Sequence, residues 1–144
     1  MTEKQAKEWL CSLKIYEDEE NRILDQIIQL RAVAESCTVR TDKESIQTSG
    51  SGDTMANIVG KIVDLERKLT KIDRKILNRR DVFEKICGEM ENDRHRQFLT
   101  IRYFDGNSFY ETVMLMDLTD STGRRIQKRA VVDFMTRYNE KYNI

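Results

Sequence analysis

Near the C-terminus the chain reads T-D-S-T-G-R-R-I-Q-K-R-A, Thr119 to Ala130, and four of the six residues from Arg124 to Arg129 are basic. Arg124, Arg125, Lys128 and Arg129 offer one kind of chemistry, charge-assisted hydrogen bonding to anions. A guanidinium fork suits two parallel bonds to a guanine edge or a phosphate. A bare basic run is usually a solvated helix face, so the elements around it must decide.

The other reactive residue types form no constellation. His95 is the only histidine and has no cysteine or histidine partner at metal-ligand spacing. Cys11, Cys37 and Cys87 make no C-x-x-C pair, and their odd number with no signal peptide reads as free thiols in a reducing cytoplasm. The glycines of Ser49–Gly52 are not followed by G-K-[ST], so no P-loop is present. With no nucleophile–base arrangement, an enzyme is not expected, nor a cofactor or small-molecule substrate. No apolar run approaches the roughly 18 residues of a membrane span, so no membrane partner is expected.

The 144 residues carry 25 basic and 25 acidic side chains, unevenly distributed. Met1–Asp93 holds 16 basic and 19 acidic residues, a net of −3, and Arg94–Ile144 holds 9 and 6, a net of +3. The basic excess therefore lies in the third that contains the Arg124–Arg129 run.

In that third, His95–Phe104 reads as a short helix ended by D-G-N-S, with Gly106 suited to a positive-φ C-cap. Ser108 caps the next helix, with Glu111 three residues on completing a capping box. Thr119 or Asp120 caps a last helix whose inner face is Ile126, Ala130, Phe134 and Tyr138. Ser121, Arg124, Arg125 and Lys128 then point outward, at the helix end where backbone N–H groups favour anions. Two helices joined by about four residues are the helix-turn-helix arrangement.

The preceding residues carry two heptad seams: Trp9, Leu13, Tyr16, Ile23, Ile27, Leu30, Ala34, and Met55, Ile58, Ile62, Leu65, Leu69, Ile72, Ile76, Phe83, Ile86, Met90. The absence of proline permits long helices. A Gly- and Ser-containing connector over about residues 37–53 reverses the chain, with Asp53 or Thr54 capping the second helix. The expectation is an all-α chain: residues 1–92 a long antiparallel helical hairpin, residues 93–144 a helix-turn-helix unit. In the hairpin, Trp9 falls near Arg79, either as a cation–π pair or beneath a snorkelling arginine. Leu24, Ile28, Val33, Val59 and Val63 widen the apolar face, and either self-association as a dimer or the connector folding back would cover them.

Leu99, Arg102, Tyr103, Phe104, Gly106, Ser108 and Glu111 form L-x-x-R-Y-F-x-G-x-S-x-x-E, which resembles the region-4 type C-terminal helix-turn-helix of sigma factors. The tract S-G-S-G-D-x-M-A-x-x-V-x-K-I-x-D-L-E, Ser49 to Glu66, extends the resemblance over nearly the whole chain. It is similar to that of ArpU-type regulators from phages and prophages of Gram-positive bacteria. The resemblance implies double-stranded DNA binding and control of phage transcription in a bacterial host, late genes being the usual assignment; the hairpin would then dimerise and set half-site spacing, or else dock on RNA polymerase. Sigma-like units carry a branched apolar residue where Gly123 stands and another apolar residue at Gln127. Here Thr122 and Ile126 are expected to point inward, with the helix beginning late or Gly123 admitting a phosphate. Ser121, Arg124 and Arg125 would read bases, with Thr122 beside them, while Lys128, Arg129 and the Ser108 helix start would hold phosphates. Arg102 is expected to pair with Glu111. Two alternatives stand beside this reading: a DNA-packaging protein resembling small terminase subunits, and a coiled-coil adaptor without nucleic acid.

Overall fold

A computed structural model describes residues 1–43 and 48–142. Among the described residues all regular structure is helical, with five α-helices, one π-helical segment and no strand. The helices are α1 (Glu3–Lys43), α2 (Thr48–Gly88), α3 (Asp93–Leu99), α4 (Phe109–Leu115) and α5 (Asp120–Lys141), and the π segment, Thr100–Phe104, continues α3.

The connector expected over residues 37–53 is corrected. Helix α1 runs on to Lys43 and α2 begins at Thr48, which leaves only residues 44–47 outside the described residues. Asp53 and Thr54 lie inside α2, so neither is its N-cap. Without proline nothing forbids helix here, and each glycine costs only about 1 kcal/mol relative to alanine.

Two compact units share the chain: Met1–Tyr16 with Ile76–Ile144, and Glu17–Lys75. The division read at residue 92 falls just after the end of α2, whereas the compact units assign the ends of both long helices to the C-terminal unit.

In the Glu17–Lys75 unit, the heptad positions are the covered ones. Ile23, Ile27, Ile58 and Ile72 are buried, and Leu30, Ala34, Ile62, Leu65 and Leu69 are half-buried. An exposed ion pair, Arg31 Nη2 to Glu66 Oε1 at 2.9 Å, links α1 to α2.

In the other unit, Ala6, Leu10 and Leu13 of α1 and Phe83, Ile86 and Cys87 of α2 share a core with Leu99, Tyr103, Ala130, Val131 and Phe134. Heptad positions Leu13, Phe83 and Ile86, together with Ala6, Leu10 and Cys87 beside the seams, thus bury the inner face of α5, and each large apolar side chain so covered contributes about 1.5–3 kcal/mol. Trp9 packs on Phe134 with ring centroids 5.2 Å apart, and the Arg79 guanidinium lies 4.8 Å from the Trp9 ring centroid. That distance makes the cation–π contact real. A second cluster, Phe98, Val113 and Ile126 with Phe109, Met116 and Leu118, holds α3, α4 and α5 together.

Candidate nucleic-acid interface

The caps set where each short helix begins. Asn92 accepts hydrogen bonds from the Arg94 and His95 N–H groups at 3.0 and 3.2 Å and so starts α3. The chain then loosens into the π segment, where the Asp105 N–H donates to Thr100 O at 2.8 Å. Gly106 adopts φ +79°, as expected for the residue that reverses the chain there. Ser108 is the N-cap of α4, its Oγ accepting from the Glu111 N–H at 3.1 Å.

Among the described residues Arg102 forms no ion pair with Glu111; its Nη1 donates to Asn107 O at 2.7 Å, and its guanidinium carbon lies 5.1 Å from the Tyr103 ring centroid. The reversal at Gly106 brings a loop carbonyl within reach before any carboxylate. Among the described residues the buried Arg102 Nε has no hydrogen-bond partner.

Helix α4 closes in a Schellman arrangement. The Leu118 N–H donates to Val113 O at 2.8 Å and the Asp117 N–H to Met114 O at 3.1 Å. Asp117 takes the left-handed conformation, φ +53°. Leu118 packs against the small cluster that contains Val113, as the apolar contact of this motif requires. Residues 116–119 connect the two helices, and Thr119 is the N-cap of α5, accepting from the Thr122 N–H at 3.3 Å.

Gly123 corrects the expected register. Helix α5 begins at Asp120 rather than late, and Gly123 is buried inside it. A Cβ added at Gly123 would collide with Val113 Cγ1 and lie 3.2 Å from Phe109 Cζ. The missing side chain therefore admits α4, leaving no room there for a phosphate. The inward row is Gly123, Ile126, Ala130 and Phe134, all buried, with Thr122 half-buried and its hydroxyl bonded to Thr119 at 2.9 Å.

Opposite that row, Ser121, Arg124, Arg125, Lys128 and Arg129 are all exposed. At about 100° per residue, Ser121, Arg125 and Lys128 form one line, with Arg124 and Arg129 on its flanks. Among the described residues, none of these four cations forms an ion pair. The C-terminal half of α5 differs: Asp133 Oδ2 lies 3.0 Å from His95 Nδ1, and Arg137 lies 3.7 Å from the same carboxylate. His95 thus has a structural partner, and no group of three or more His, Cys, Asp or Glu residues able to hold a metal occurs among the described residues. Burial pushes the Cys87 thiol up to about 12, so it stays protonated and is a poor nucleophile.

A cleft of about 530 Å³ is lined by Glu3 and Lys7 of α1, by Arg102, and by Arg124, Gln127 and Lys128 of α5. More than ninety residues separate Lys7 from Arg102, so no local spacing could have joined them.

The residues assigned to association are exposed: Leu24 by 38%, Ile28 by 62%, Val33 by 48%, Val59 by 49% and Val63 by 38%. They do not form one strip. Nine residues from Leu24, Val33 lies on the opposite flank of α1. It lines a groove of about 510 Å³ with Leu30, Lys61, Leu65 and Lys68. Among the described residues no helix is long and apolar enough to cross a membrane. Compared with protein-family models, curated proteins and solved structures, the chain shows no significant match.

Proposed function

We propose that this protein is a sequence-specific DNA-binding transcriptional regulator of the phage or prophage type, with α4 and α5 acting as a helix-turn-helix. The observation that carries this reading is the exposed, unpaired row Arg124, Arg125, Lys128 and Arg129 on the first turns of α5. A row of cations that forms no ion pair among the described residues leaves charge to be neutralised by a partner, and a duplex backbone is a dense polyanion. Recognition helices place base-reading side chains in their N-terminal turns. Ser121, Arg124 and Arg125 read bases, while Lys128, Arg129 and the Ser108 helix start hold phosphates.

The long helices supply an antiparallel hairpin, and its exposed Leu24, Ile28, Val59 and Val63 make it a dimer. Dimerisation sets the spacing of two half-sites. RNA polymerase is the alternative partner for the hairpin in this reading.

Selection of bound sites from random duplex DNA tests the reading, with an ordered palindrome expected. On the selected site, Arg125→Ala should cost about 1–3 kcal/mol and relax specificity. Lys128→Ala should weaken all sequences alike and lower the salt slope by about one. Equal binding by wild type and both variants would refute the assignment.

A further inference from the structure

The cleft beside α5 mixes residues from three distant parts of the chain, and its ionic composition is lopsided. Lys7, Arg102, Arg124 and Lys128 contribute four cations, and Glu3 is the one acid among its lining residues. All belong to the same compact unit, Met1–Tyr16 with Ile76–Ile144. Two of the cations, Arg124 and Lys128, are members of the outward row. The cleft therefore adjoins the face assigned to DNA.

Arg102 points to an anion as the occupant. Its guanidinium is held by the Asn107 carbonyl and by the Tyr103 ring. Asn107 is itself tied down, its Nδ2 donating to Ile101 O at 2.9 Å. A fixed guanidinium loses little entropy on accepting a ligand. Among the described residues its charge meets no carboxylate partner. Gln127 adds an amide at the cleft wall, its Nε2 donating to Tyr103 Oη at 3.3 Å.

We infer that this cleft holds a backbone phosphate of duplex DNA, and that Lys7 of α1 and Arg102 are phosphate-contacting residues alongside Lys128. The inference rests on the DNA-binding reading above and extends the footprint from α5 to the first turns of α1. It commits to a phosphodiester in a duplex rather than to free phosphate.

The test compares duplex binding by the full-length wild type, Lys7→Gln, Glu3→Gln and Lys4→Gln over a range of salt concentrations. All three substitutions alter exposed side chains, and Lys4 does not line the cleft. Lys7→Gln should lower the slope of log K against log salt by about 0.9, which at about 0.1 M salt is roughly an eightfold loss of affinity. Specific and random duplexes should be affected alike. Glu3→Gln should strengthen binding, and Lys4→Gln should leave the slope unchanged.

Wild-type binding with the same slope in Lys7→Gln would overturn the cleft assignment while leaving the α5 reading intact. Equal losses in Lys4→Gln and Lys7→Gln would overturn it too, because they would report diffuse charge rather than a site. A wild type with no salt-dependent duplex binding would overturn both readings. Inorganic phosphate titrated at constant ionic strength distinguishes the source of the anion. Saturable shifts of the Lys7 and Gln127 resonances with Kd below about 1 mM would assign the cleft to a free anion and overturn the backbone assignment.

Discussion

Gly123 shows how much one absent methyl group can decide. Its place between Ile126 and the Thr119 cap brings α5 against Val113 and Phe109 of α4. Alanine is the better helix former by about 1 kcal/mol, yet Gly123→Ala should destabilise the protein by about 1–3 kcal/mol through overpacking. Removing the colliding methyl groups should relieve this. Val113→Ala alone leaves a cavity, and the double variant should be more stable than the sum of the single losses implies. Chemical denaturation of all four proteins measures that coupling. Gly123 was misread from sequence because a glycine carries no apolar signal to count. Ile126, Ala130 and Phe134 were legible because their spacing of four exposes a face, and each is buried. Arg102 escaped for a different reason. Spacing offered Glu111 as an acid, whereas the bond goes to a loop carbonyl whose position depends on the turn at Gly106.

Among the elements, the caps were the most legible because they rest on local chemistry. Ser108 and Thr119 each accept from the N–H group three residues ahead. The π segment was not legible: its i to i+5 bond, Asp105 to Thr100, has no composition that announces it. The connector was overread, because two glycines and a polar tract resemble a loop while no proline compels one. The Schellman turn closing α4 is the element most open to improvement. Asp117 holds φ +53° there, a region costing roughly 1–2 kcal/mol for a residue with a Cβ and less for Asp. Asp117→Gly should therefore raise stability by about 0.5–1 kcal/mol, read as a shift of the denaturation midpoint with unchanged slope. A lower midpoint would mean that the aspartate side chain contributes more than its backbone costs.

For the whole molecule, the two heptad seams were legible throughout, since a period carried over many turns leaves little room for another assignment. Contacts between distant segments were not, and the placement of Lys7 beside Arg124 and Lys128 is the clearest case. Self-association also belongs to this scale. Covering Leu24, Ile28, Val59 and Val63 would contribute about 1 kcal/mol for each side chain, enough together to matter for a dimer. Ile28→Glu combined with Val59→Glu should convert a dimer to a monomer in sedimentation equilibrium without loss of helix content. A monomeric wild type would remove this part of the proposal. Finally, the protein has a single tryptophan, and it sits on Phe134 beneath Arg79. Indole emission therefore follows the melting of the unit that contains α5, while far-ultraviolet ellipticity sums every helix in the chain. Recorded on one sample, the two optical signals reveal whether the Glu17–Lys75 segment lets go first, last or in the same step.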